Sequence, residues 1–200
     1  MALIVDTVRF GFPDLDWPAW DVGAGIEAVA DEIAAAHADG PAAVAVVRRS
    51  VLALNADALS KGPVSVQMAI WVPDRSTGEG VAVLDTLTWG FKPGEVVSAE
   101  AFVARRNVKK DMGRGSKVFD YDVGITDVPA GEAVVEAYTL RRRHETTIQG
   151  YILFTIFPPG AVDAFCLQFN TVHLGLMEEL GSLARIIAES VVITLWDAPA

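Results

Sequence analysis

The last third of the chain, residues 118–197, carries the pattern that most restricts the possible fold. Closely spaced strand-like segments are followed by one amphipathic helix, roughly Leu174 to Glu189, and by a short apolar ending. The strand-like segments are VFDYDVGITDV, EAVVEAYTLRR, GYILFTIF and AFCLQFN. Because strands joined by short turns pair in antiparallel order, this third predicts an antiparallel meander with a helix laid across it. It contains no recognisable set of catalytic residues.

One strand-like segment, GYILFTIF, is apolar at almost every position, whereas a half-buried strand alternates between apolar and polar residues. A continuous apolar run is typical of a strand that is covered on both faces. The segment therefore predicts either a central strand of the sheet or a strand at a dimer interface. On the second interpretation a homodimer is expected, and twofold dimers are the commonest soluble oligomers.

The remainder of the chain predicts one strand, two helices, a β-hairpin and a further short helix, separated by breaks rich in Gly and Pro. The strand is expected at 3–12 and the two helices at 25–38 and 41–60. The hairpin strands are expected at 64–72 and 81–89, and the short helix at 98–111 with Ser98 as its N-cap. The Pro- and Trp-rich residues 13–22 predict a connection without a strand. The order of elements predicts an α+β fold with a single antiparallel sheet of about six or seven strands, covered by helices. One domain, residues 1–200, is expected, with the N-terminal strand and helix pair at 3–60 and the sheet and C-terminal helix at 64–197.

The charge of the chain is strongly negative, with a formal net charge of −10 at pH 7. When the chain is divided into residues 1–104, 105–117 and 118–200, bases outnumber acids only in the middle segment. Because an acidic surface repels nucleic acid, nucleic-acid binding is not expected. A single cysteine excludes a disulfide framework and a cysteine-based zinc site. The first residues lack a signal-peptide pattern, and no stretch is apolar enough to cross a membrane, which predicts a cytoplasmic location away from membranes.

The basic run at residues 105–117, RRNVKKDMGRGSK, is the sharpest local candidate for a binding site, and we call it the basic loop. Gly113 and Gly115 would let backbone N–H groups turn toward a phosphate, with Arg114 and Lys117 supplying positive charge. The run is not a Walker A loop, because it would follow a helix and precede a strand. The alternative is a solvated helix end in which four cations oppose the negative end of the helix dipole, namely Arg105, Arg106, Lys109 and Lys110.

A second basic cluster, Arg141, Arg142 and Arg143, ends a predicted strand, and we call it the arginine edge. Arginine binds carboxylates and phosphates through two parallel hydrogen bonds, so the cluster is a candidate site for an anion or an acidic partner. The alternative is a charged strand edge that discourages aggregation between sheets.

For several further residues, a functional role is compared with a role in packing. Trp71 lies on the more polar face of its strand and is a candidate contact residue, while the other four tryptophans are expected to pack in or over the core. Cys166 and His173 lack the surroundings of a nucleophile pair, so a buried, inert thiol is expected. Asp120 and Asp122 would share one strand face, where a shared proton is geometrically allowed and a solvated face is the expected case. No catalytic residue, no metal site and no cofactor are expected.

The C-terminal two-thirds of the chain resemble the Mog1/PsbP-like proteins, especially their uncharacterised actinobacterial members. The resemblance covers about residues 64–197 and consists of turn, strand and helix patterns. The segments that carry it are AIWVPDRSTGEGVAVLD, DVPAGEAV, GYILFTIF, AFCLQFN and LGLMEELGSLARIIAESV. The helices predicted at 25–60 and the basic loop depart from the shortest members of the group. The resemblance implies a non-enzymatic binding or accessory protein. No residue of this chain matches a functional motif of the members that bind a small GTPase or photosystem II.

Two functional hypotheses follow from these patterns. The first is a cytoplasmic accessory or protein-interaction domain without catalytic activity, which binds another protein or a second copy of itself. The second is a binding protein or enzyme for an anionic small molecule, which uses the basic loop and the arginine edge. The second hypothesis gains if these two segments meet at one concave pocket with Trp71 or Trp89, and it falls if they point apart into solvent.

Overall fold

A computed structural model describes residues 3–14, 16–60, 65–92, 94–106, 115–143 and 145–197. Within these residues the strands are β1 (Leu3–Arg9), β2 (Ala19–Asp21), β3 (Ser65–Trp71), β4 (Ala82–Gly90), β5 (Lys117–Val128), β6 (Gly131–Arg141), β7 (Gln149–Phe157), β8 (Asp163–Thr171) and β9 (Val192–Asp197). The helices are α1 (Glu27–His37), α2 (Pro41–Ser60), α3 (Ala99–Arg105) and α4 (Met177–Glu189), with a 3₁₀ turn at Leu174–Leu176 before the last. None of these helices is long and apolar enough to cross a membrane.

The fold is α+β, as the sequence predicts, with β2 to β8 in one antiparallel sheet. The two ends of the described chain add a second sheet, because β1 pairs with β9 in antiparallel order and Leu3 lies opposite Asp197. Contacts divide the chain into two compact units. We call Asp14–Leu87 the helical unit, and Met1–Pro13 with Thr88–Ala200 the meander unit. The expectation of a single domain stays a prediction.

The helical unit has a core of its own, in which α1 and α2 pack with β2 and β3. Helix α2 has the range that the sequence predicts, and Pro41 suits its first turn because a residue there needs no N–H donor. Both helices bury small or branched residues at helical spacing, including Ala30, Ile33, Val47 and Val51. In the sequence, the spacing of Ile26, Val29, Ala30, Ile33 and His37 predicts that they share one face of the first helix. This prediction is wrong at Val29, which is 38% exposed.

The expectation of a strand-free connection at residues 13–22 is also wrong, because this segment contains the three-residue strand β2. Trp20 lies opposite Met68 of β3 and is buried, while its neighbours Ala19 and Asp21 are exposed. The short strand thus places one indole in the core of the helical unit. Two prolines close to the segment hide this alternation in the sequence, because proline is typical of turns and strand edges.

The meander unit confirms the predicted meander. Its strands follow one another in the sheet as β8, β7, β6 and β5, each antiparallel to the next. Strand β7 lies between β6 and β8, and all of its residues from Gly150 to Phe157 are buried. The central-strand interpretation of GYILFTIF is therefore confirmed. Because this apolar surface is used inside the chain, it gives no support to a homodimer, which stays a prediction.

The two faces of the meander differ in chemistry. Helix α4 packs against β7 and β8 over the face that carries apolar residues such as Ile152. On the opposite face, cross-strand neighbours include polar residues, since Glu136 lies opposite Leu153, and Tyr138 lies opposite Tyr151. Helix α3 covers part of this second face. The candidate site described below is built on the second face.

Candidate functional site

The central feature of the second face is a buried ion pair between Arg106 and Glu136. The Nε atom of Arg106 donates a hydrogen bond to Oε1 of Glu136 at 2.9 Å. The hydroxyl of Tyr121 donates to the same oxygen at 2.9 Å. The side chain of Arg106 is 7% exposed and that of Glu136 is 0% exposed. A charge so far from water is stable only when it is paired, and each partner supplies the opposite charge to the other.

The early end of α3 places Arg106 in this pair. Ser98 caps the helix as predicted, since its Oγ accepts a hydrogen bond from the Ala101 N–H at 3.2 Å. The helix ends at Arg105, whereas the sequence predicted residue 111. Arg106 has extended backbone angles, with φ −64° and ψ 123°, so its side chain leaves the helix direction. Arg106 is therefore not a solvated cation in the last helical turn, as the alternative interpretation had it, whereas Arg105 does lie in that turn.

Aromatic rings surround the guanidinium of Arg106. Its Cζ atom lies 5.7 Å from the ring centroid of Trp89 and 5.8 Å from that of Phe102. A cation within about 6 Å of an aromatic ring face is attracted by the negative charge of that face. Trp89 and Phe102 also meet edge to face, with centroids 5.5 Å apart and ring planes at 72°. The ion pair and the rings together fix the position of the guanidinium.

A cleft of about 420 Å³ opens beside this arrangement, and we call it the aromatic cleft. Among the described residues, those that line it are Trp89, Gly90, Phe91, Glu95, Phe102, Arg105 and Arg106. Behind it, Phe157 of β7 contacts both Phe91 and Phe102, with centroid distances of 6.2 and 5.6 Å. The volume and the mixture of aromatic walls with a few charged groups are those of a typical ligand site.

Arg105 holds a second guanidinium at the rim of the aromatic cleft. Its Nε donates to the Ala101 carbonyl at 3.0 Å, and its Nη2 donates to the Val96 carbonyl at 3.0 Å. Its Nη1 lies 3.6 Å from Oε2 of Glu95, and its Cζ lies 5.6 Å from the ring centroid of Phe91. The side chain is 43% exposed, so this charge is in contact with solvent. The cleft thus has a buried arginine inside and an exposed one at its mouth.

A row of tyrosines extends from the ion pair toward the arginine edge. Tyr138 lies 6.1 Å from Tyr121, centroid to centroid, and stacks on Tyr151 at 5.2 Å with an interplanar angle of 18°. The Tyr151 hydroxyl contacts Gln149 and accepts a hydrogen bond from Nη2 of Arg142 at 3.2 Å. Burial raises the pKa of the Tyr138 hydroxyl, and nearby Glu136 raises it further. Burial also raises the pKa of Tyr151, which Arg142 partly offsets.

The arginine edge and the described end of the basic loop lie side by side. Lys117 is opposite Arg141 in the pairing of β5 with β6. A Cβ atom added to Gly115 would lie 2.7 Å from Cδ of Arg143, so these two residues are in close contact. Arg141, Arg142 and Arg143 are all exposed. The two basic segments therefore meet in part. Residues 107–114 of the basic loop, which include Lys109, Lys110, Gly113 and Arg114, lie outside the described residues.

Trp71 belongs to the helical unit and is only 4% exposed. Its ring stacks on Trp17 with centroids 6.0 Å apart and an interplanar angle of 4°. This geometry is typical of core packing. A role for Trp71 as a contact residue stays a prediction.

The surroundings of the remaining candidate residues indicate structural roles. Cys166 is buried, and the Thr155 hydroxyl donates to its Sγ at 3.7 Å, which agrees with an inert thiol. Asp120 has a positive φ of 49°, and a register shift falls between Phe119 and Asp122. The regular alternation that would place Asp120 and Asp122 on one face is therefore interrupted. Among the described residues, no three His, Cys, Asp or Glu side chains come together as metal ligands.

Phe91, Phe102 and Glu136 are site residues that were not predicted from the sequence. Glu136 carried a readable signal, because it occupies the inward position between Val134 and Tyr138 in an alternating strand. An acid at such a position requires a buried partner. The two phenylalanines carried no comparable signal, since phenylalanine at strand ends and on helices is ordinary core composition.

The fold of this chain is that of the PsbP/Mog1-like proteins. The solution structure of cyanobacterial PsbP (CyanoP) from Synechocystis sp. PCC 6803 is similar to it with a TM-score of 0.50 and 9% sequence identity, covering 96% of this chain and 91% of that one. The crystal structure of LpqN, involved in cell envelope biogenesis of Mycobacterium tuberculosis, has a TM-score of 0.44 and 15% identity, covering 94% of this chain and 83% of that one. The sequence matches no protein-family model and no curated protein.

Proposed function

We propose that the protein is a non-catalytic accessory domain that binds another protein, and that the aromatic cleft receives a side chain of this partner. The observation that carries the proposal is the cleft itself. It combines about 420 Å³ of space with aromatic walls and a guanidinium held by a buried carboxylate. Residues of these types supply most of the binding energy in protein interfaces, where Trp, Tyr and Arg are enriched.

The buried ion pair supports a binding role more than a stabilising one. Replacing a buried ion pair by apolar residues of similar volume is often neutral or stabilising, so Arg106 and Glu136 are a costly way to fill this space. A fixed guanidinium at the inner wall of a cleft is useful for binding, because its orientation need not be ordered when the partner arrives. The pair therefore favours a preformed site.

The fold likeness supports an accessory role only in general terms, because one fold serves many functions. The partner is another protein or a second copy of this chain, as the sequence analysis also proposed. The cytoplasmic location is part of the same proposal, and cell fractionation with an antibody against the native chain checks it.

Affinity capture with matched variants tests the proposed function. The wild type and Phe91→Ser are immobilised and exposed to an extract of the native cells, and the bound proteins are quantified by mass spectrometry. Ile186→Ser is the control, because it also removes a partly exposed apolar side chain, 48% exposed, from the surface of α4. The proposal expects at least one partner that Phe91→Ser loses about tenfold and Ile186→Ser retains. Identical sets of partners for all three proteins would contradict it.

A second candidate function is the binding of an anionic small molecule at the arginine edge. The observation that favours it is the contact of Gly115 with Arg143 together with the pairing of Lys117 with Arg141, which gathers positive charge on an otherwise acidic protein. A thermal-shift screen with phosphate, citrate and nucleotide probes checks it, using wild type and Arg142→Ala. An anion-dependent rise in Tm that Arg142→Ala reduces supports this function. The absence of any anion-dependent rise in both proteins counts against it.

A further inference from the structure

We propose that the aromatic cleft recognises a flat aromatic ring that carries, or directly neighbours, a carboxylate. This inference rests on the cleft that the proposed function uses, and it adds the chemical class of the group that enters. Two independent observations support it, namely the aromatic walls of the cleft and the arginine at its rim.

The walls of the cleft favour a flat ring. In the described part of the chain, three aromatic side chains line it, and those of Trp89 and Phe102 meet edge to face. Aromatic rings prefer edge-to-face or offset contacts with centroids about 4.5–7 Å apart. The ring of a ligand can therefore join the Trp89–Phe102 pair without displacing it. Phe91 and Trp89 are only half-buried, so their surfaces remain available to a ligand. An aliphatic chain would gain area burial alone, without the additional attraction between ring edges and faces.

The charges around the cleft favour an anion on that ring. Of the described lining residues, two are arginines and one is a glutamate. Glu136 balances the charge of Arg106 behind the wall, so the positive charge that can meet a ligand anion is that of Arg105, which is 43% exposed at the rim. Arg105 forms an ion pair with Glu95, whose Oε2 lies 3.6 Å from Nη1, which is longer than a normal hydrogen bond. The remaining two nitrogens of Arg105, Nε and Nη2, donate hydrogen bonds to backbone carbonyls, which fixes the plane of the guanidinium. A ligand carboxylate can therefore approach Nη1 at hydrogen-bonding distance with little loss of side-chain freedom.

Three ligands that share one ring and differ in the charge of the side arm test this inference. Indole-3-acetate, indole-3-acetamide and tryptamine share the indole ring and differ in whether the side arm is anionic, neutral or cationic. Isothermal titration calorimetry or ligand-observed NMR gives their affinities for the full chain. Indole-3-acetate is expected to bind with a Kd of about 1 mM or tighter, followed by the amide, with the amine weakest. Equal affinities for all three, or no binding by any, would overturn the inference.

Two variants separate the ring from the charge. Arg105→Gln removes the rim charge and is expected to weaken indole-3-acetate about fivefold while changing the amide less than twofold. Phe91→Ser removes part of the wall and is expected to weaken both. Arg185→Gln on α4, where the arginine side chain is 56% exposed, is the control for a general loss of positive charge. Circular dichroism confirms that each variant is folded. Equal weakening of the acetate by Arg105→Gln and Arg185→Gln would reject a specific role of Arg105.

The source of the ring is settled by comparing a free acid with a peptide. A peptide with a Trp next to a Glu, blocked at both ends, is titrated beside indole-3-acetate and a matched peptide with Gln for Glu. Tighter binding of the Glu peptide identifies a partner protein, and tighter binding of the free acid identifies a small molecule. If no aromatic acid binds while Phe91→Ser still loses a captured partner, this inference fails and the proposed function stands. If aromatic acids bind while partner capture is unchanged, the proposed function fails and this inference stands.

Discussion

Arg106 and Glu136 form an ion pair inside the protein, with Nε and Oε1 2.9 Å apart and with side-chain exposures of 7% and 0%. The pair connects the residue after α3 to the middle of β6. It also positions the guanidinium that lies over Trp89 and Phe102 in the wall of the aromatic cleft. The candidate site therefore depends on one buried interaction, which makes that interaction a direct target for mutation.

Breaking this pair from one side is expected to destabilise the protein strongly. Glu136→Gln removes the carboxylate that pairs with the buried Arg106 guanidinium, and the loss of one member of a buried ion pair costs about 3–5 kcal/mol of unfolding free energy. Urea unfolding followed by circular dichroism measures this.

The double variant Arg106→Met with Glu136→Leu is expected to recover much of that loss, because it removes both charges and keeps the apolar volume. Glu189→Gln serves as the surface control, since it breaks the exposed i,i+4 pair with Arg185 and is expected to cost less than about 0.5 kcal/mol. Similar costs for Glu136→Gln and Glu189→Gln would show that the first pair is not buried in solution.

The turn between β5 and β6 requires glycine at position 131. Gly131 has a φ of 141°, and a Cβ atom there would lie 2.3 Å from the backbone oxygen of Phe157. Because the clash is with backbone, Gly131→Ala is expected to lower the unfolding free energy by at least about 2 kcal/mol. Gly124→Ala on β5 is the control, since nothing lies within 4 Å of its added Cβ. Thermal unfolding of the two variants should differ clearly, and equal Tm values would argue against this turn geometry.

The buried tyrosines make stability sensitive to alkaline pH. Burial raises the pKa of Tyr138 above the ordinary value near 10, so the folded protein retains the proton at a pH where the unfolded chain releases it. The stabilising contribution is complete below pH 10 and declines as the pH rises above it, by up to about 1.4 kcal/mol per pH unit for one such group. Tyr138→Phe is therefore expected to lose stability less steeply than wild type between about pH 10 and 11. Urea unfolding of both proteins at pH 8, 10 and 11 measures how the unfolding free energy falls with pH. An equal fall in wild type and Tyr138→Phe would contradict a raised pKa of Tyr138.

Trp71 is expected to act through packing in the helical unit. Its stacking on Trp17 and its 4% exposure predict that Trp71→Ala costs about 3–5 kcal/mol of unfolding free energy. Trp196→Ala is the matched control, because that indole is 65% exposed and its loss is expected to cost less than about 0.5 kcal/mol. Denaturant unfolding of both variants is the measurement. A small effect of Trp71→Ala combined with a loss of partner capture would instead support the contact role.

Local patterns in the sequence were sufficient to predict most of the individual elements. The predicted range of α2 is the observed one, because Pro41 and the Gly-Pro pair at 62–63 mark both ends of a helical repeat. The central position of β7 was one of two predicted interpretations, the other being a strand at a dimer interface, since its apolar run allows no solvated face. Such features depend on neighbouring residues only. They are therefore visible without knowledge of which segments meet in space.

Features that depend on distant residues were not predictable in the same way. The pairing of β1 with β9 joins the two ends of the described chain, and alternation reveals a strand but not its partner. The burial of Arg106 requires Glu136, which is 30 residues away, and Trp89 of β4. A basic run read by itself favours a solvated helix end, so the position of the aromatic cleft became apparent only when these contacts were known.

Site-specific photocrosslinking at the aromatic cleft tests the central claim most directly. Phe91 is replaced by benzoylphenylalanine in one protein and Ile186 in another, and each is irradiated in native cell extract before purification and mass spectrometry. A discrete crosslinked partner is expected at position 91 and not at position 186, and the crosslink is expected to weaken when Arg105→Gln is added. Crosslinks of equal yield and identity at the two positions would contradict the claim that the aromatic cleft is the binding site.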